Sequence, residues 1–506
     1  MTGRRTPPRH YGFKSDSVTP ETFLQALERA AYDPISNVIF YPRPYQKLYD
    51  GVALPYNMTA RSFWANWEKI QNRLRVFHET AHFFQTRGTF HGFVLFELAM
   101  REIQEIKMLV EECEFKLPLR DHFAKLYPTT RKLRPSDKFL LMFFFYGWLK
   151  QFRRWQEGTC SLSPTQGDSG GDPTVVAVSE GPAIPWLKRN YERHVATLAY
   201  PCCASQSTVE LGSIQLCEAY AQSIEFEHLL WFNKAEGHRV LHRFMRDPRS
   251  IDYTVAMFLF VQGLPRAYLN EMPFLYAHLR AIIDLSLMAH GPLMSGTGLT
   301  FEESGPSCVL DSTAHPVATF LGALEAMPSI RPAKDVKDDL LRFYNDLCHA
   351  LRIPDVGTAS KMARKTAEAT VAQLNKGKIS EPHAKVFVEM LSFREEDPLF
   401  FINDIIFNDR WNEVMKRFDR KVLVVAEEVY NEHHDTLVDS CMLLEATQEI
   451  AERFVHESNP CCPWGRRSGR PRCGKFFRGE CSARFAGMSQ KLRKACSLAS
   501  MWGYCV

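Results

Sequence analysis

The chain has no long apolar run. Its longest, Phe139 to Leu149, is edged by Lys138 and by Lys150, Arg153 and Arg154. It falls well short of the roughly 18–20 residues that a membrane-spanning helix needs, and reads as a helix buried on all sides. The segment Met1 to Arg9 is basic and contains proline but lacks the apolar stretch of a secretory signal. No tract has the form of a Walker A loop, a G-x-G-x-x-G turn or a G-x-S-x-G elbow, which argues against nucleotide-binding and serine-hydrolase chemistry. C-x-x-C spacing is missing too, although the 506 residues include 14 Cys. Without a secretory signal those thiols read as reduced groups or metal ligands rather than a disulfide framework, and the expected location is cytoplasmic. What is present is ordinary for a globular protein: 45% hydrophobic and 24% charged residues, which excludes a wholly disordered or fibrous chain. The length predicts two to four domains.

The charge is unevenly spread. Of the 62 Lys and Arg and 58 Asp and Glu, ten bases and one acid (Glu480) lie between Cys461 and Val506, leaving 52 bases and 57 acids in the rest. A net +9 tail with six of the 14 Cys thus follows a net −5 body, and the overall +4 describes neither. The tail reads as a basic, disordered appendix. Its ten cations among Phe477, Phe485 and Trp502 make nucleic acid or an acidic protein its candidate partner.

Residues 1–62 are loop-rich, with a short strand predicted over Asn37 to Tyr41. A long helix is predicted from an N-cap at Ser62 to Gly88. Its stripe of Phe63, Trp67, Ile70, Leu74, Phe77, Ala81 and Phe84 is spaced for one buried face. Further helices are expected at about 93–113, 137–155, 186–198, 208–246 and 265–289, with residues 247–264 left unassigned. The Gly/Ser/Pro-rich stretch 157–185 reads as an inserted loop with a strand at Thr174 to Val178. From 313 to 456 helical segments alternate with breaks at Pro354–Gly357 and Pro398, ending in a long helix from about 417. The expected fold class is mainly α. Four parts are expected: an N-terminal segment 1–62, a metal-binding catalytic domain 63–290, a helical C-terminal domain 308–456 and the tail 457–506.

Chemistry concentrates in the first long helix, in Phe77-His78-Glu79-Thr80-Ala81-His82-Phe83-Phe84-Gln85. His78 and His82 are four apart, so both project from one helical face and can share one metal ion. Glu79 lies about 100° around the helix, where it can act on a water without being a ligand. This is the H-E-x-x-H arrangement, in which two imidazoles hold Zn²⁺ and the Glu serves as general base. A third protein ligand is then needed. The tract Leu211-Gly212-Ser213-Ile214-Gln215-Leu216-Cys217-Glu218-Ala219-Tyr220-Ala221-Gln222-Ser223-Ile224-Glu225 is helical, and Glu218 in it is flanked by small residues.

These two tracts together resemble the gluzincin class of zinc metallopeptidases, in particular bacterial proteins with an H-E-x-x-H-x-x-Q helix followed by a G-x(5)-E-x-x-A helix. The resemblance covers about 20 residues at each tract. It implies zincin-like active-site helices, zinc ligands His78, His82 and Glu218, Glu79 as general base, and a peptide or protein substrate. Gln85 would stand behind the ligands rather than among them. Glu225 is the alternative third ligand, and the family pattern favours Glu218. The sequence departs from the pattern in Arg75, a charge where Val or Thr is commoner, and in a gap of 136 residues between His82 and Glu218. No oxyanion-stabilising residue is assigned; Tyr220 and His228 are the candidates.

Other constellations are weaker. Glu79-x-x-His82 and Glu225-x-x-His228 form the paired E-x-x-H of di-iron carboxylate bundles. Such bundles also need a lone Glu on each of two further helices, and only Glu192 is suitably placed. His238 and His242 have Arg239 between them and read as a polar helix face, as does Glu432-His433-His434-Asp435. Cys202, Cys203 and Cys348 read as buried thiols. Outside hydrolysis, the competing expectation is a non-catalytic helical interaction protein using its basic tail.

Overall fold

The computed structural model describes residues 54–112, 209–245, 250–265, 274–288, 316–335, 338–374 and 380–399, with five short strands outside them and scattered short pieces. The Phe139–Leu149 run, the tail from Cys461, Glu192, Cys202, Cys203 and the Glu432–Asp435 cluster lie outside the described residues. Among those described, the protein is mainly α. No described helix is long and apolar enough to cross a membrane.

The first helix, α1 (Ala60–Ala65), is a single short segment capped by Thr59, whose hydroxyl accepts from the Ser62 N–H at 3.2 Å. The predicted cap at Ser62 is therefore displaced by three residues. Ser62 instead lies within the first turn of α1, and its carbonyl accepts from the side chain of Asn66, which ends the helix, at 2.9 Å. The chain turns at Asn66 and continues as α2 (Trp67–Arg87), which ends where expected, with the Gly88 N–H donating to the Phe84 carbonyl at 2.7 Å. Then come α3 (Phe90–Glu112), α4 (Ser213–Phe232), α5 (Lys234–Met245), α6 (Ile251–Gly263), α7 (Leu275–Met288) and α8 (Pro316–Ala326). The last three are α9 (Asp338–Ala350), α10 (Val356–Leu374) and α11 (Ser380–Glu396).

Helix α4 is the hub: α2, α5, α6 and α7 all pack on it. Fourteen of its twenty residues are buried, so it shows no single apolar stripe and carries its polar groups inward. The small residues Ala219, Ala221 and Ser223 allow neighbours to approach its backbone closely. At its end Asn233 breaks the predicted 208–246 helix in two. Its amide donates to the Met58 carbonyl at 2.6 Å, while its side-chain oxygen caps α5 by accepting from the Glu236 N–H at 3.0 Å. The turn brings α5 so close that a Cβ at Gly237 would stand 2.6 Å from the Leu229 carbonyl oxygen. Only glycine fits there. Helix α6, which the sequence pattern left unassigned, is apolar nearly all round (Val255, Ala256, Met257, Leu259 and Phe260 are buried) and so carries no helical period to read.

The strands form two three-stranded sheets. In one, β1 (Ala31–Asp33) pairs antiparallel with β2 (Val38–Tyr41), which matches the predicted strand. In the other, β3 (Cys160–Thr165) pairs antiparallel with β4 (Val175–Glu180) and β5 (Val209–Leu211). The expected 157–185 loop is therefore a hairpin, with the anticipated strand as its second arm. The first sheet is completed by β6 (Leu423–Ala426), parallel to β2. This corrects the helix predicted from 417: Leu423-Val424-Val425 is a run whose branched side chains suit a strand once a partner is present.

A buried ionic network fills the space between α7, α9 and α11. Arg394 donates from its two terminal nitrogens to the two oxygens of Asp284, each at 2.7 Å, and the Tyr344 hydroxyl adds a third bond at 3.0 Å. Arg394 is fully buried and Asp284 nearly so. On the same helix Arg280 pairs with Glu227 of α4 at 2.7 Å and donates to the Ile402 carbonyl at 2.9 Å.

Candidate metal centre

The H-E-x-x-H tract occupies the second half of α2, facing α4. His78 Nε2 and His82 Nε2 are 3.1 Å apart, and Glu218 Oε2 lies 3.1 Å from the first and 3.5 Å from the second. Among the described residues these three form the one group able to hold a metal ion. Four donors arranged tetrahedrally at zinc's usual 2.0–2.2 Å stand about 3.3–3.6 Å from one another. The triangle has nearly that size.

The other side of each imidazole is equally informative. His78 Nδ1 lies 2.8 Å from Glu225 Oε1, an ion pair with a carboxylate that is wholly buried. His82 Nδ1 lies 3.0 Å from Gln85 Oε1. The Gln85 amide is fixed in that orientation because its NH₂ donates across to the Cys217 carbonyl of α4 at 3.1 Å. Gln85 Oε1 can only accept, so a neutral His82 carries its proton on Nδ1 and turns the Nε2 lone pair toward His78 and Glu218; the Glu225 carboxylate favours the same arrangement at His78. With both rings neutral, two lone pairs and a carboxylate at about 3 Å repel one another unless a proton or a metal ion lies between them. The donor set and its size fit a divalent metal such as zinc.

The carboxylates favour positive charge at the imidazoles. Burial lowers the pKa of His78, but Glu225 and Glu218 outweigh it and hold the imidazole well above its usual value. Burial raises that of Glu218, yet His82 and His78 hold its carboxyl far below the usual range. Glu79 is buried beside the cluster, and that burial lifts its carboxyl above the usual value against the pull of His78 and His82. His82 and Glu218 are partly exposed while His78 is buried.

The structure thus brings His78, His82, Glu218 and Glu79 together and separates the two rival carboxylates by role. Glu218 reaches the Nε2 side of the pair and Glu225 the Nδ1 side. The oxyanion candidates go elsewhere. Tyr220 is buried toward Asp284, Arg280 and Arg394, which act on its phenol. His228 lies on the Phe77 ring, its centroid 4.3 Å away, with Nδ1 3.2 Å from the Tyr56 hydroxyl. That placement also leaves the second E-x-x-H pair unassembled, since Glu225 and His228 serve different neighbours. His238 and His242 are exposed, as a polar helix face requires, and Cys348 is a buried thiol pushed up to about 12 by burial. A residue missed by sequence reasoning is Tyr253 of α6, whose ring centroid lies 6.3 Å from that of His78. It lies in the stretch without a readable period.

Compared with protein-family models, curated proteins and solved structures, the chain finds no match in any of the three.

Proposed function

We propose that the protein is a metal-dependent hydrolase of the zincin type, acting on a peptide bond, with His78, His82 and Glu218 as metal ligands. One observation carries this reading: the Nε2 atoms of the two imidazoles and a Glu218 oxygen stand 3.1–3.5 Å from one another, while the Nδ1 atoms face Glu225 and Gln85. The H-E-x-x-H helix lying against a second, Glu-bearing helix, with the edge strand β1 also touching α2, supports the zincin comparison.

A divalent ion bound there would supply Lewis acidity, polarising the scissile carbonyl and acidifying water. The chain's own part falls chiefly to Glu79. Its carboxylate takes a proton from the attacking water as the hydroxyl joins the carbonyl carbon, and gives that proton to the leaving nitrogen as the C–N bond breaks. A carboxyl whose pKa is raised by burial suits this shuttle, because it binds the proton more firmly than an exposed Glu yet still releases it. The partly exposed edge at His82 and Glu218 is the side from which water and substrate enter.

The test is metal content followed by Glu79→Gln. One zinc per chain, retained in Glu79→Gln while hydrolysis of a casein or mixed-peptide substrate falls by at least about 100-fold, is the expected result. A purified chain that holds no zinc and gains no stability from it would sink the reading.

A further inference from the structure

Glu225 is fully buried, and its two oxygens have different tasks. Oε1 lies 2.8 Å from His78 Nδ1, and Oε2 accepts from the Gln222 amide at 3.1 Å, one turn back on the same helix. The equivalent position behind His82 is filled by the neutral amide of Gln85. The two imidazoles are therefore not equivalent: one is backed by a full negative charge, the other by a dipole. A carboxylate behind an imidazole fixes its tautomer and ring angle and makes the opposite nitrogen a better donor. The Glu225–His78 contact crosses from α4 to α2, as does the Gln85–Cys217 hydrogen bond at 3.1 Å, so the residues that aim the imidazoles also set how the two helices sit against each other.

We propose that Glu225 is a positioning residue of the metal centre, making His78 the stronger of the two imidazole donors and setting the affinity for the ion. This rests on the metal-site reading above. It needs no contact between Glu225 and the ion. Gln222 takes part by holding the carboxylate on the His78 side, and Gln85 is its weaker counterpart at His82.

Zinc affinity of the metal-free full-length chain, measured by competition with a chelating indicator, distinguishes the outcomes. Glu225→Gln keeps the shape and removes the charge, and is expected to raise the zinc Kd about 10–100-fold. The melting temperature of the metal-free protein is expected to fall whichever role Glu225 has, because the buried pair with His78 is broken, so the Kd is the deciding readout. With cobalt(II) as the probe, the visible absorption bands should shift in the same variant. An unchanged Kd would make Glu225 a merely structural residue and overturn the proposal. A wild-type chain that takes up no zinc removes the metal reading itself, and this one with it. Should Glu225→Gln fail to fold, Gln222→Leu frees the carboxylate while leaving its charge, and a rise in Kd is again expected. A wild-type Kd in that variant overturns the proposal equally.

Discussion

Two buried polar clusters flank helix α4, and they are built on opposite plans. Around Asp284 every charge meets its match: Arg394 gives a two-point pair, Tyr344 fills the remaining acceptor site, and neighbouring Arg280 answers Glu227. Around His78 the carboxylates Glu79, Glu218 and Glu225 converge on two imidazoles, and the ion pairs of Glu218 and Glu225 there run to histidine. Burying charge is costly unless it is neutralised, so three carboxylates around two imidazoles suit a bound cation. The Asp284 network is complete as folded; on the proposed metal reading the His78 cluster is completed by an ion.

If this contrast holds, breaking the self-contained cluster costs fold stability whatever the metal content. Arg394→Met leaves Asp284 buried and unpaired and is expected to cost about 3–5 kcal/mol in chemical denaturation, with or without zinc. Adding Asp284→Leu should recover much of that loss. A zinc-dependent penalty would merge the two clusters and undo the comparison.

The pH response should fall on the same side of the molecule. His278 of α7 is fully buried between the Tyr268 and Phe343 rings, and its Nε2 accepts from the Ala333 N–H at 2.9 Å. Burial brings its pKa down to about 4, below the unfolded value of 6.5. The unfolded chain therefore takes up the proton first on acidification. The His278 contribution is whole above pH 6.5, declines between 6.5 and 4 by about 3 kcal/mol, and is constant below. Unfolding curves of wild type and His278→Gln across that range check it. Parallel curves would locate the acid sensitivity elsewhere.

The smallest effect belongs to the incomplete cluster. Zinc at 100 times its Kd should stabilise the wild type by about 2.7 kcal/mol and leave His82→Ala unmoved. Equal stabilisation of both proteins would mean that the ion binds somewhere else.

How much of this could be read in the sequence depends on the reach of each interaction. Helix α2 was legible because its apolar stripe and the i,i+4 pair His78 and His82 are properties of one short stretch of chain. Its true start at Trp67 was not, because the stripe runs on through Phe63 into α1, which Thr59 caps, and only the turn at Asn66 separates the short helix from the long one. Helix α6 was invisible for a different reason: burial on nearly all sides erases the period that marks a helix. The strand β6 was read as helix because its partner, β2, lies at the other end of the chain.

The sequence by itself determined that the protein is mainly helical and that two imidazoles share one helix face with a glutamate about 100° around from them, since 3.6 residues per turn leave no other arrangement. Between Glu218 and Glu225 only the family resemblance chose, in favour of Glu218. Seven residues are almost two whole turns, so both carboxylates project from nearly the same face of α4, about 10 Å apart along the axis. Only the packing of α4 against α2 decided that Glu218 meets the Nε2 side of the histidines and Glu225 the Nδ1 side. The same packing sent Tyr220 and His228 away from the site and brought Tyr253 near it. Spacing along a helix fixes direction, whereas the register between two helices is a tertiary quantity, set by the close approach that Ala219, Ala221 and the Gln85–Cys217 hydrogen bond permit.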